Sequence, residues 1–298
     1  AVMSTSYRGI LYCITGAVTW GINGVVSQFL FMNYTVDSSW LTAVRMISAG
    51  LILLVVFFPK KHEQFKGILR DPVSLRHLLI FSICGLLFCQ YAYLTAIKHS
   101  NSGTATVLQT LSVVLMAFYL AVRFHKKPSL RENISVILAV LGVYLVATDG
   151  NPSAMILSPS GLFWGLVAAI GALVYPILSQ GIACRWGAPP VNSLGMIIGG
   201  TIFTLAAQIW TLTPDLDTYG WLAIAFIVVV GTVISFSTFI QGIRLIGPMK
   251  ATLIGTLEPV MASILSAIWL GTAFTHIEVI GFICIITTVF LIIAKKEA

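Results

Sequence analysis

Charge is what this 298-residue chain has least of: Asp, Glu, Lys and Arg together make up 9%, against about 25% in an ordinary soluble domain. Acids are scarcer than bases, with 10 Asp and Glu against 17 Lys and Arg. So few ionised groups cannot clothe the surface of a water-soluble body this large. Secreted disulfide scaffolds, disordered chains and DNA-binding domains are excluded on that ground. The five cysteines (Cys13, Cys84, Cys89, Cys184 and Cys284) are odd in number, sit in or beside apolar runs and show no CxxC or Cys/His metal spacing. They read as small packing residues. The five histidines lie in loops or at the edges of apolar runs, again without ligand spacing. HExxH, a membrane-embedded aspartate pair and a Walker A loop are all missing. The expectation is therefore no enzyme, no metal, no cofactor and no ATP hydrolysis. The first apolar run lacks the charged n-region and small-residue cleavage site of a signal peptide, and a native start at Met3 is expected.

What is abundant is hydrophobic sequence, 58% of the chain. A bilayer core about 30 Å thick needs about 20 apolar residues in a helix. Ten such runs can be counted, roughly 8–30, 39–58, 76–98, 103–123, 132–148, 160–183, 191–212, 219–244, 250–271 and 277–294. Pro59-Lys60-Lys61 is expected to end the second. Pro128, Pro152, Pro189-Pro190 and Pro214 punctuate later breaks. With the amino terminus placed in the cytoplasm and the runs alternating, 15 of the 17 Lys and Arg fall on the cytoplasmic side, as the positive-inside rule requires. Asp37, Asp149, Asp215 and Asp217 fall outside. This assigns a multi-pass protein of the plasma membrane with both termini cytoplasmic. The net charge of +7 then needs no nucleic-acid partner; the partners are the lipid bilayer and a small-molecule substrate. The sequence leaves the oligomeric state open.

The two halves of the chain resemble each other. Gly9 to Gln28 aligns with Gly161 to Gln180, ending in Ser27-Gln28 and Ser179-Gln180. Ala96-Ile97-Lys98 faces Gly242-Ile243-Arg244, and Thr106, Thr110 and Glu132 match Thr252, Thr256 and Glu278. Each half, 1–149 and 150–298, holds five runs. Five is odd, so the second half enters the membrane from the opposite side. The expected fold class is an all-α integral membrane protein of ten transmembrane helices in two inverted-topology five-helix repeats.

These residues resemble the EamA type of the drug/metabolite transporter superfamily. The resemblance rests on Tyr91-x-x-x-x-Ala96-Ile97-Lys98, on Gly255-Thr256-Leu257-Glu258-Pro259-Val260-Met261-Ala262, on Leu270-Gly271 with Gly281, and on Arg45 early in the second run. Val113, Lys126 and Thr272 depart from the family pattern and leave subfamily and substrate open. The resemblance implies a secondary transporter working by alternating access, with export of an amino acid or related compound expected by analogy. It also implies a cavity surrounded by helices one, three, four, six, eight and nine. The alternative is a lipid flippase, scramblase or channel; an intramembrane enzyme has only Glu258 in its favour.

Candidate site residues follow from polarity at membrane depth. Glu258 is the one deep acid, about 12 Å along the ninth helix. Pro259 beside it cannot donate to the carbonyl of Gly255. Glu258 is either a substrate-binding and proton-coupling group or a structural one paired with backbone or a base. With no base expected nearby, it should be neutral or partly protonated when the site is empty. Tyr175-Pro176 interrupts the sixth helix, as a transport site or as a plain kink. Helical spacing aligns Gly16, Trp20, Asn23 and Ser27; Ala168, Ala172, Tyr175 and Ser179; Tyr91, Thr95 and Lys98; Ser237, Gln241 and Arg244; Thr106, Gln109 and Thr110; and Thr252, Gly255 and Thr256. Taken singly, each could be interhelical packing. Together they nominate Trp20, Asn23, Tyr91, Gln109, Tyr175, Gln241 and Glu258 as substrate-binding, with protons as the candidate coupling ion. Arg45 and Lys98 are expected near the outer ends of their helices, snorkelling to headgroups or drawing in a carboxylate.

Overall fold

The computed structural model describes residues 5–153, 155–246 and 254–293, and every regular element among them is helical. The helices run α1 (Thr5–Asn33), α2 (Ser38–Arg70), α3 (Pro72–His99), α4 (Ser102–Arg123), α5 (Leu130–Thr148), α6 (Pro159–Trp186) and α7 (Ala188–Ala206). Then come α8 (Thr218–Val228, continuing to Ser235–Ile246), α9 (Leu257–Leu270) and α10 (His276–Ile293). Eight are long and apolar enough to cross a membrane, and α9 and α10 are shorter apolar helices. Large apolar side chains such as Val55, Val122, Ile137 and Ile268 stand exposed on the outside of the bundle, where acyl chains replace water. Lys250, Thr252, Lys295 and Lys296, and the side chain of Arg244, lie outside the described residues.

The loop acids and hydroxyls are helix caps. Asp37, Asn101, Ser158 and Asp217 each accept a backbone N–H in the first turn of the helix that follows, satisfying donors the helix itself cannot. Ser129 and Glu132 form a capping box at the start of α5. Thr275 and Glu278 exchange the same pair of bonds at the start of α10. The Glu132–Glu278 match seen in the sequence thus reflects one local role at two places.

Four helices and the approach to α9 are irregular, whereas α6 runs as one helix through Pro176, where an interruption was expected. Pro59 does not end α2. The helix runs through it, bends at Lys61 (φ −132°, ψ 25°) and continues to Arg70, because proline removes only one intrahelical bond and a bend absorbs the steric conflict. Beyond the bend Phe65 and Ile68 are buried, so the basic stretch lies as a helix against the bundle instead of looping free. α3 carries a π turn at Phe81–Leu87 and α8 one at Val229–Ile234. α4 loosens at Thr110 and Leu111, where ψ relaxes to −19° and −18°. α9 is preceded by the same relaxation at Thr256, ψ −11°. These last two breaks sit at positions the internal repeat aligns. In α4 the Thr110 hydroxyl donates to Thr106 O at 2.9 Å. Before α9, Pro259 has no N–H for Gly255.

Packing between the halves is reciprocal. α1 packs on α8 and α9, and its counterpart α6 packs on α3 and α4; α2 pairs with α7, and α5 with α10. Small residues allow the closest approaches. A Cβ on Gly142 would meet Gly281 O at 2.8 Å, and one on Gly281 would meet Gly142 O at 2.9 Å. This brings α5 and α10 to backbone contact. Gly50 does the same in α2, where Ser193 of α7 donates to its carbonyl at 2.8 Å.

Candidate functional site

A cavity of about 340 Å³ lies in the middle of the bundle, within the size range of small-molecule sites. Its wall includes both helix breaks: Thr106, Gln109 and Thr110 from α4, and Gly255, Thr256 and Glu258 around the start of α9. α1 supplies Trp20 and Asn23, α3 supplies Cys89, Gln90 and Tyr93, α6 supplies Tyr175 and Pro176, and α8 supplies Phe236 and Phe239. Aromatic contacts fix the larger groups. Trp20 packs on Phe236 and Phe239 with ring centroids 5.0 and 4.9 Å away. Tyr175 donates to Asn192 Oδ1 at 3.2 Å. Tyr93 and Thr106 share a hydrogen bond of 3.1 Å.

Of the seven residues nominated from the sequence, the cavity brings together Trp20, Asn23, Gln109, Tyr175 and Glu258. Tyr91 and Gln241 are not on its wall. Tyr91 turns to the other side of α3 and packs edge-on against Trp164 and Phe203, at 5.4 and 5.5 Å. Gln241 is half-buried on α8. Helical spacing groups residues on a face but does not say which neighbour that face meets. Thr95, on the Tyr91 face, donates to Ser38 at 3.0 Å, so part of that stripe is interhelical hydrogen bonding.

Arg45 corrects the expectation most. It does not snorkel. It is 4% exposed and forms part of the cavity wall. Its Nε donates to Thr232 Oγ1 at 2.8 Å, and its Nη2 lies 3.5 Å from Gly231 O. Both acceptors belong to the π turn of α8, whose altered hydrogen-bond ladder leaves a carbonyl to offer. Thr232 itself donates to Ile227 O at 2.9 Å. A buried cation that finds two acceptors and a cavity need not reach the headgroups. Lys98, by contrast, is exposed at the end of α3, 6.0 Å over the ring of Phe31.

Glu258 therefore shares the cavity wall with a base, which the sequence had not provided. No direct ion pair joins Arg45 and Glu258 among the described residues. The site holds one group of each sign in an otherwise largely apolar, aromatic surround. Beyond Arg45, sequence reasoning also missed Gln90 and Tyr93. The available signal was an uncharged amide, Gln90, inside an apolar run.

Both ends of the bundle are tied. At one, Asp71 pairs with Arg185 at 2.8 Å. Ser74 donates to Asp71 at 2.6 Å and accepts from Trp186 Nε1 at 2.8 Å. The Ser74 hydroxyl first, then the Val73 N–H and Arg185, hold the Asp71 carboxyl below the usual carboxylate range. At the other end, Gln28 of α1 accepts from Ser102 N and Oγ at 2.9 and 2.8 Å and donates to Thr272 at 2.9 Å. Nearby, Tyr34 donates to Asp217.

The model of the EamA-like transporter family matches this chain twice, over residues 7–148 and 159–294. The chain belongs to the EamA-like transporter family. Among the relatives of this EamA-like transporter is the uncharacterized inner membrane transporter YicL of Salmonella typhimurium. It is 32% identical over 97% of this chain and 96% of that protein. The uncharacterized inner membrane transporter YedA of Escherichia coli is 24% identical, covering 94% of this chain and 88% of that one. A solved crystal structure superposes with a TM-score of 0.62 at 16% identity, over 97% of this chain and 99% of that chain, a likeness of fold. The protein is a multi-pass membrane transporter of the EamA and drug/metabolite type.

Proposed function

We propose that this transporter carries a small organic metabolite, an amino acid or related compound, outward across the plasma membrane by alternating access. The observation that carries the reading is the cavity at the two helix breaks, with Arg45 and Glu258 in its wall. A zwitterion satisfies both charges at once, and in an apolar surround an unpaired charge is costly. The aromatic groups Trp20, Tyr175, Phe236 and Phe239 offer contact to an apolar body.

The reciprocal helix pairing supports an inverted repeat: α1 with α8 and α9 becomes α6 with α3 and α4 when the halves are exchanged. Such an arrangement has two equivalent packings, each the other with the halves interchanged, and so two ways to open one central site. Gln28 binds α1, α4 and the connection before α10 at one end, so alternation requires that tie to break. Both termini are assigned to the cytoplasm by the distribution of Lys and Arg. No observation favours the lipid flippase, scramblase or channel alternative.

Glu258 is the coupling candidate. A substrate amine would pair with its carboxylate when the site is full, and opening of the cavity to water lets it exchange a proton. The test is transport in proteoliposomes with and without an imposed pH gradient. Wild type should respond to the gradient, and Glu258→Gln should fold normally and lose the response. A wild type indifferent to the gradient, or a variant that responds as wild type does, removes Glu258 from the coupling role.

A further inference from the structure

Some contacts recur at aligned positions in the two halves of the chain. Asp71 and Asp217 are the N-caps of α3 and α8. Tyr34, just past α1, aligns with Trp186, the last residue of α6. At one end of the bundle Tyr34 donates to Asp217. At the other, Trp186 Nε1 donates to Ser74 Oγ at 2.8 Å, which donates to Asp71 at 2.6 Å. Further along the same helices, Thr19 and Ser235 share a hydrogen bond of 2.6 Å. At the aligned positions a Cβ on Gly171 would meet Cys89 Cα at 2.8 Å. α1 is thus joined to α8, and α6 to α3, in the same places. Exchanging the halves of an inverted repeat converts one facing of the site into the other. A contact present together with its image therefore does not depend on which way the site faces.

Other aligned positions differ. Gln28 is 6% exposed. Its oxygen accepts from Ser102 N and Oγ, and its nitrogen donates to Thr272. Its counterpart Gln180 is exposed, and a Cβ on Gly181 beside it would meet nothing within 4 Å. Tyr93 is buried and bonded to Thr106, and a Cβ on Gly24 would meet its hydroxyl at 2.7 Å. Its counterpart Phe239 is half-buried and lies on the cavity wall. α1 packs on both α4 and α9, whereas α6 packs on α4 and shows no such packing on α9 among the described residues. The bundle is shut at the Gln28 end and looser at the Gln180 end.

We infer that Gln28 is the latch of the gate at the Asp217 end, and that Gln180 is the latch of the opposite gate, engaged when the cavity faces the other way. By the symmetry of an inverted repeat, a contact unmatched in one facing has its image in the other. The two images are not identical. Where Gln28 finds Thr272, Gln180 would find Lys126, which is exposed. Ser102 corresponds to Pro248, which lies outside the described residues and has no N–H to donate. Gln180 Oε1 would therefore accept from the Lys126 ammonium. Ser102 and Thr272 hold Gln28 by three hydrogen bonds, so the facing closed at the Gln28 end is the resting one. The matched ties keep α1 with α8 and α6 with α3, and these two pairs move as units. The inference rests on the alternating-access reading and adds which groups hold each facing.

The test places a single cysteine at Gln109, on the cavity wall, in a full-length cysteine-free background. The readout is its rate of labelling by a small impermeant maleimide applied to either face of the membrane. With Gln28 intact, labelling from the face bearing Asp217 should be slow. Gln28→Leu, with Gln28→Ala as a second variant, should label from that face about tenfold faster or more, since each hydrogen bond lost is worth roughly fivefold. Proteoliposomes carrying either variant should stay tight to potassium. Adding Gln180→Leu to Gln28→Leu should reverse most of the gain. Tyr34→Phe breaks only a matched tie and should change neither rate by more than about twofold, because a change felt equally in both states shifts no population. If neither Gln28 variant labels faster from the Asp217 face, or Tyr34→Phe shifts the rates as Gln28→Leu does, the latch is overturned and the alternating-access reading stands. If Gln180→Leu reverses nothing, Gln180 is not the counterpart and the paired latch is overturned. If the Gln28 variants label faster and also leak potassium, both ends open together, and the latches and alternating access fall together.

Discussion

Replacing Arg45 separates its part in stability from its part in binding, because the two should move differently in Arg45→Met. The guanidinium makes one well-formed charge-assisted hydrogen bond, at 2.8 Å to Thr232, and one at the edge of bonding range, 3.5 Å to Gly231 O. A hydrogen bond to a charged group contributes about 1.5–3 kcal/mol. Against that stands the desolvation of a cation that is 4% exposed, an effective cost of several kcal/mol. Thr232 is not orphaned by the change, since it keeps its bond to Ile227 O. Methionine fills most of the arginine stem's volume. The terms roughly cancel, so the melting temperature in detergent should change by no more than about 3 °C, the equivalent of about 1 kcal/mol in a chain of this class of size. Binding has no such compensation. Loss of the cavity's cation should weaken a carboxylate-bearing ligand by about 1.5–3 kcal/mol, or roughly 10–100-fold. The assay is thermal unfolding and ligand titration on the same preparations. A large fall in melting temperature with unchanged affinity would show that Arg45 is a pin between α2 and α8, and the argument for a charged subsite would be wrong.

Gly50→Val should destabilise the protein by about 1–3 kcal/mol, since a Cβ there would meet Ile197 Cγ1 at 2.7 Å and Ser193 O at 2.9 Å; an unchanged melting temperature would refute the close α2–α7 contact. Asp71 has a folded-state pKa below its unfolded value of about 3.9, so its contribution is full above that value and lost as pH falls through the folded one. Asp71→Asn should therefore be less stable than wild type at pH 7, with the gap closing in acid; a gap that stays constant from neutral pH to about pH 3 would refute this. Single cysteines placed at Asp217 and at Lys127 in a cysteine-free background should label oppositely in intact cells, with an impermeant maleimide reaching the first and not the second. The reverse pattern would overturn the assigned orientation.

Hydropathy, proline spacing and the placement of Lys and Arg determined the ten-helix reading by themselves. The reason is that a membrane imposes one rule on every residue of a span, and that rule is local. The match of Glu132 with Glu278 was legible in the repeat; the capping role they share came from the structure. An acid inside an apolar run could also be read, which singled out Glu258. Azimuth could not. Tyr91 and Gln241 satisfied the same spacing rule as Trp20 and Asn23, yet only the packing of α3 on α6 decides that Gln90, one residue from Tyr91, forms part of the cavity wall. Arg45 shows the same division. Its place in an apolar run was evident from sequence, which expected it to snorkel, but its acceptors lie 186 and 187 residues away in a π turn. Periodicity assigns residues to a face within one helix. Which face meets a neighbour, and which meets the cavity, is settled by how all the helices pack together.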